Sequence, residues 1–160
     1  MTPSLPSTAN NLSQLYEQDY YLWLETTAKL LREGQLSALD AANLLEEIED
    51  RGRSEKRAVY SNLKILLMHL LKYGYQPQKR SNSWIASIVE HRQRLKKAFQ
   101  ESPSLQPYYT DIFNECYQDA RELAAAETGL TIDGFPVETP FTPEEILNSD
   151  YLFDLGDREV

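Results

Sequence analysis

One cysteine, Cys116, is all that 160 residues contain, which excludes an intramolecular disulfide framework and any zinc site built from several thiolates. A reducing, cytoplasmic setting is the expectation from that count. Glycine is scarce too. Six glycines scattered singly leave no Gly-rich phosphate loop, no dinucleotide fingerprint and no Gly-x-Ser-x-Gly elbow. Long apolar runs are missing: the longest, Ile65–Met68 with Leu70 and Leu71, is interrupted by His69 and falls far short of the roughly 18 residues of a membrane span. No membrane partner is therefore expected. The first ten residues lack both a basic region and an apolar core, so they read as a tail rather than a signal peptide. Finally, no segment alternates apolar and polar residues for long enough to suggest a strand.

What is present is helical periodicity. Ser13 is positioned to cap a first helix of about 14–33 with Leu15, Leu22, Trp23, Thr26 and Leu30 on its stripe and Gly34 as its stop. Ser37 or Asp40 starts a second, long stretch to about Tyr73. It carries Leu44, Leu45 and Ile48, then Val59, Leu63, Leu66, Leu67, Leu70 and Leu71, at spacings of three and four. Gly52 in its middle costs about 1 kcal/mol in a helix interior, so a bend, a tight crossing or a break is expected there. Asn82 or Ser83 opens a third helix of about 84–101 with Trp84, Ile85, Ile88, Val89, Leu95 and Phe99, stopped by Pro103. A fourth, about 106–127, presents Tyr109, Ile112, Phe113, Cys116, Tyr117, Ala120, Leu123 and Ala124 and ends at Gly129. Beyond it Pro136, Pro140 and Pro143 indicate an extended segment, and Thr142-Pro143-Glu144-Glu145 has the form of a capping box.

Charge is distributed in blocks. Sixteen bases against 25 acids give a net charge of -9, yet residues 51–97 alone carry +10, flanked by -7 before and -12 after. Such blocks can neutralise one another within the fold or leave a positive surface for an anion. Neutralisation is the default, but aromatics interleave with the bases around Tyr73, Tyr75, Lys79, Arg80, Trp84 and Arg92, a mixture that stacks bases and holds phosphates. The candidate anion-binding residues are Lys79, Arg80, Trp84, Arg92, Arg94, Lys96 and Lys97. Net acidity counts against a long-range pull on nucleic acid, and Trp84 on an apolar stripe suits a core or interface position better than a stacking platform.

Catalytic constellations are sparse. Glu46, Glu49 and Asp50 share a helix face and could hold Mg²⁺ or Mn²⁺, but the same spacing makes ion-pair ladders: Glu47 to Arg51, Glu49 to Arg53, and Glu46 and Asp50 toward Arg57. His69 and His91 both lack a Glu three residues earlier, which removes the Glu-x-x-His pattern of di-iron bundles. A mixed site of Glu46, Glu49, His69 and Glu90 on packed helices stays open as the weaker alternative, one that would activate water on a phosphodiester. Cys116 lies mid-helix among apolar residues, where a thiol is a small buried hydrophobe.

The sequence also resembles the domain of unknown function 29 family, small all-helical bacterial proteins frequent in cyanobacteria. The resemblance runs over about residues 12–155. It is carried by Leu15-Tyr16-Glu17-x-Asp19-Tyr20 with Trp23-Leu24, by Asn43-Leu44-x-Glu46-Glu47-Ile48-Glu49 with Gly52-x-Ser54-Glu55, and by Leu67-x-His69-Leu70-Leu71-Lys72. Further on come Gln76-Pro77, Trp84, Ile88-x-Glu90-x-Arg92, Ser102-Pro103-Ser104-Leu105, Tyr117-x-x-Ala120-Arg121 and Glu127-Thr128-Gly129. One departure is Thr139-Pro140-Phe141, where the family pattern would place Cys-Pro-aromatic. The resemblance implies an all-α fold and no established activity. It also singles out Glu46, Glu49, His69, Glu90 and Arg92 as polar members of the pattern, suited to a buried network fixing helix register or to a functional pocket.

The combined expectation is an all-α protein: a compact bundle of four to five helices with one long central helix and an extended, Pro-containing C-terminal tail. A flexible segment 1–12 precedes a single helical domain over 13–155, with residues 130–155 packed on the bundle. Function is expected to be non-enzymatic, an interaction module whose basic block meets an acidic protein surface or nucleic acid, with no cofactor. The alternative is a divalent-metal-dependent phosphodiesterase or hydrolase using the Glu/His cluster. Ten tyrosines and two tryptophans exceed what a small core needs, so a homodimer is also expected.

Overall fold

A computed structural model describes residues 8–154. These are all-α, with no strand among the described residues, and the helices are α1 (Thr8–Gln18), α2 (Tyr20–Arg32), α3 (Ala41–Tyr75), α4 (Asn82–Glu101) and α5 (Gln106–Thr128). No helix among them is long and apolar enough to cross a membrane. The chain groups into two compact units that divide between Ser54 and Glu55, inside α3.

In the first unit the single helix expected over 14–33 is two. Helix begins at Thr8, so residues 8–12 are helical rather than tail, while residues 1–7 lie outside the described residues. The break falls at Asp19, whose carboxylate accepts from the Leu22 amide at 3.1 Å and so caps α2. Gly34, at φ 72°, terminates α2 in the left-handed conformation that only glycine adopts without strain. Trp23 is the centre of this unit, fully buried, with Tyr16 edge-on at 4.9 Å and Tyr20 stacked at 6.1 Å. Its indole N–H donates to Asp40 Oδ2 at 3.2 Å, and the same carboxylate caps α3 by accepting from the Asn43 amide and side chain. Tyr16 and Tyr20 both donate to Glu47, at 2.6 and 2.5 Å. That bond to a carboxylate pushes the Tyr16 phenol up to about 12.

α3 runs uninterrupted for 35 residues, so the expected disturbance at Gly52 does not occur. Gly52 has nothing within 4 Å of where a Cβ would stand, and the helix simply absorbs its propensity cost.

The second unit is a three-helix core made by the C-terminal part of α3, α4 and α5. Val59, Leu63, Leu66, Leu67, Leu70 and Leu71 of α3 face Ile88, Leu95 and Phe99 of α4 and Tyr109, Phe113, Cys116, Tyr117, Ala120 and Ala124 of α5, all buried. Ser81, one residue earlier than expected, caps α4. The tail after Gly129 then packs on this core and inserts Phe135, Phe141, Ile146 and Phe153, each buried. Each such insertion contributes roughly 1.5–3 kcal/mol of apolar burial. The capping box read at Thr142–Glu145 forms: the Thr142 amide donates to Glu145 Oε2 at 3.0 Å and the Glu145 amide to Thr142 Oγ1 at 3.1 Å.

Because the tail forms no strand, its carbonyls are met by side chains. Tyr109 donates to the Pro143 carbonyl and Tyr117 to the Pro136 carbonyl, both at 2.6 Å, and Arg121 Nε donates to the Phe135 carbonyl at 3.1 Å. Gly74 makes room for the tail: a Cβ there would stand 2.2 Å from the Phe153 ring.

Candidate functional site

Helical spacing on α4 places Val89, Gln93, Lys96 and Gln100 along one row, with Arg92 and Lys97 beside it. Together with Ser149 of the tail they line a groove of about 550 Å³. Its inner wall is Arg92, only 3% exposed. The guanidinium donates to three tail carbonyls, Nε to Ile146 at 2.7 Å, Nη1 to Ser149 at 3.1 Å and Nη2 to Tyr151 at 2.5 Å. Burial lowers its pKa from the usual arginine value, and the field of Asp150 opposes that shift. Lys96 closes the rim by donating to Ser149 Oγ at 2.9 Å, while the Lys97 ammonium stands 4.0 Å from Glu101. Val89, expected on the apolar stripe, is instead 41% exposed at this groove.

The other basic candidates do not line the groove. Arg80 donates through Nε to the Tyr73 carbonyl at 2.8 Å, lies 4.1 Å over the Tyr73 ring, and pairs with Asp154 at 3.3 Å. Trp84 carries the Lys72 ammonium 4.7 Å above its ring, and that buried ammonium pairs with Glu127 at 2.7 Å. Arg94 is exposed and paired with Glu90 one turn back at 2.7 Å. Lys79 is exposed in the short turn Pro77–Lys79. The structure thus brings three of the seven residues, Arg92, Lys96 and Lys97, to one place.

With this geometry in view, the sequence match is decisive for kinship: residues 15–152 fit the family described as Domain of unknown function DUF29. The chain belongs to the DUF29 family. No curated protein and no solved structure matches it.

The acidic and histidine residues of this DUF29 member are engaged locally. Arg53 gathers Glu46, Glu49 and Asp50, at 3.3 Å and 3.8 Å for the two glutamates, and all four side chains are about half exposed. Glu90 is likewise exposed on Arg94. A buried network of Glu46, Glu49 and Glu90 therefore does not form. His69 Nδ1 lies 3.0 Å from the Ile65 carbonyl and 3.4 Å from Ser87 Oγ; His91 Nδ1 lies 2.8 Å from the Ser87 carbonyl and 3.3 Å from the same hydroxyl. Burial pushes the His69 imidazole below its usual pKa; the Ile65 carbonyl opposes this and the Lys72 ammonium reinforces it. Among the described residues no group of three His, Cys, Asp or Glu side chains is placed to hold a metal ion. Cys116 donates to the Tyr60 carbonyl at 3.4 Å, and burial pushes its thiol up to about 12, far from a reactive thiolate.

Sequence reasoning placed Tyr109 and Tyr117 on the apolar stripe of α5 and Arg121 only in the family pattern, and so missed their role as donors to tail carbonyls; Gln93 and Gln100 in the groove it missed altogether. For Arg92 a signal was present. It sits four residues after Ile88 and three before Leu95, on the apolar stripe, which marks a buried charge with internal partners rather than a free ligand.

Proposed function

We propose that this DUF29 protein is a non-enzymatic interaction module, and that the α4 groove takes an acidic segment of a partner protein. One observation carries the reading. The fold engages Lys72, Arg80 and Arg92 internally, whereas Lys96, bonded to the neutral Ser149 hydroxyl, and the exposed Lys97, 4.0 Å from Glu101, stand with two glutamine amides on a groove of about 550 Å³ beside the tail. Lysines supply the charge, and the amides offer both donors and acceptors for a peptide backbone. An acidic protein segment is favoured over nucleic acid for two reasons. The groove lining contains no aromatic side chain, so nothing there stacks a base. A net charge of -9 also repels an extended polyanion at long range, whereas a short acidic segment feels chiefly the local field.

The test is fluorescence anisotropy of a labelled polyglutamate peptide, with random single-stranded DNA and RNA in parallel, at about 50 and then about 200 mM salt. Polyglutamate should bind at the lower salt, weaken at the higher, and be lost with Lys96→Glu/Lys97→Glu. Absence of polyglutamate binding at low salt, or equal binding by the double variant, refutes the assignment. Nucleic acid binding without polyglutamate binding would replace the proposed partner class.

A further inference from the structure

α2 is apolar around most of its circumference, yet its own unit buries only Trp23 and Thr27 of it. On one side of that buried strip Leu22, Thr26 and Leu30 face a groove of about 450 Å³ shared with Leu12 and Leu15 of α1. On the other side Tyr20, Leu24, Ala28 and Leu31 form a continuous ridge at helical spacing. Leu24 is 41% and Leu31 47% exposed. A helix apolar on nearly all sides needs cover on nearly all sides.

We infer that the Tyr20–Leu31 ridge of α2 pairs antiparallel with the same ridge of a second copy of this chain, crossing at Ala28. Register favours this pairing. A twofold axis at Ala28 sets each residue opposite the one equally far on the other side of position 28. Leu24 of one copy then falls within one residue of Leu31 of the other, and the small Ala28 side chains let the two helices approach at the crossing. The polar arc bordering the ridge holds Glu25, which also accepts from Tyr21 at 3.1 Å, and then Lys29 and Arg32 in the last turn. The same axis brings Glu25 of each copy within one residue of Arg32 of the other. Apolar and ionic matches therefore fall in one register. Antiparallel helix dipoles and two symmetry-related Glu–Arg pairs at the rim reinforce it. Leu36, 65% exposed in the turn after α2, extends the apolar strip beyond the helix end where the partner's Tyr20 and Tyr21 begin.

This pairing is independent of the α4 groove and is tested separately. Sedimentation equilibrium of the full chain should give twice 18.5 kDa. Leu31→Glu should return the monomer with unchanged Trp23 emission. Glu25→Arg and Arg32→Glu should each weaken the dimer about tenfold, and the two together should restore it. As a measure that does not depend on a destabilising charge, Ala28→Cys should form an intermolecular disulfide under mild oxidant, because the axis places the two thiols side by side. Cys116 is buried and will not compete. A monomeric wild type, a Leu31→Glu dimer, failure of the charge swap to restore binding, or no crosslink from Ala28→Cys would each overturn the inference. The first of these would leave the ridge to a different protein.

Discussion

Replacing Arg92 by Met tests whether the basic block serves the fold before it serves a partner. The substitution keeps much of the aliphatic stem but removes donors to three tail carbonyls, those of Ile146, Ser149 and Tyr151. A hydrogen bond to a charged group contributes about 1.5–3 kcal/mol, but the three are not additive. Ser149 is exposed, so its carbonyl can recover water, whereas Ile146 is fully buried and its carbonyl cannot do so easily. The relief of desolvating a guanidinium also offsets part of the loss. We expect a net destabilisation of the second unit by about 3 kcal/mol. Urea denaturation followed by Trp84 emission in a Trp23→Phe background reads that unit alone, since the chain's two tryptophans fall one in each unit. With a slope of about 2 kcal/mol/M the midpoint should fall by about 1.5 M. Arg92→Lys should recover at most one of the three bonds and lie between. A midpoint shift under about 0.3 M for Arg92→Met would refute the clamp and return Arg92 to the set of free anion ligands.

Gly74→Ala should destabilise the second unit by about 1–3 kcal/mol through the clash with Phe153, and Phe153→Ala should make the same change nearly silent in a double-mutant cycle read by melting temperature. If the two effects add instead, the close approach is not what requires glycine. Asp40→Ala removes the acceptor for Trp23 and the cap of α3, so the first unit should lose about 2 kcal/mol and Trp23 emission should shift; unchanged emission would mean the indole bond is not formed in solution. For His69 the folded pKa is below the unfolded value of about 6.5, so the unfolded chain binds more protons and stability falls as pH drops below that value. His69→Gln should flatten part of the melting-temperature slope between about pH 7 and 5, and an unaltered slope would remove His69 from the acid response.

The boundaries that sequence made legible are those set by residues with one dominant local preference. Pro103 ends α4, Gly129 caps α5 in the left-handed region, and Thr142 with Glu145 forms its reciprocal cap. Asp19 was illegible for a specific reason. Leu15, Leu22 and Trp23 keep helical spacing across it, so periodicity alone reports one helix, while the carboxylate's bond to the Leu22 amide makes two. Gly52 failed in the opposite direction, since a propensity cost of about 1 kcal/mol is too small to break a helix whose later turns are fully packed. The anion candidates were legible as a cluster in sequence but not as separate roles. Spacing placed Arg92, Lys96 and Lys97 near one another, yet the three carbonyls that Arg92 meets, and the Asp154 carboxylate that Arg80 meets besides Tyr73, come from residues 146–154, which no local pattern could supply.

That long-range pairing recasts the charge blocks. The positive segment is not mainly matched carboxylate for ammonium with the acidic tail; its most buried member meets backbone carbonyls, which every residue possesses. Arginine on carbonyls holds a segment without reading its side chains, so it cannot by itself choose a register. Register must come from elsewhere, and Phe135, Phe141, Ile146 and Phe153 supply it by filling fixed places in the core, one of them opened by the absent side chain of Gly74. The division of labour follows: aromatic and aliphatic anchors decide which tail residue lies where, and Arg92, Arg121, Tyr109 and Tyr117 satisfy the carbonyls exposed by that choice. It also explains why the outward face of α4 is left basic. With its inner cation holding the tail, α4 can vary the groove residues Gln93, Lys97 and Gln100, and Lys96 with the loss of only its bond to the exposed Ser149, without disturbing the apolar packing that holds the second unit together.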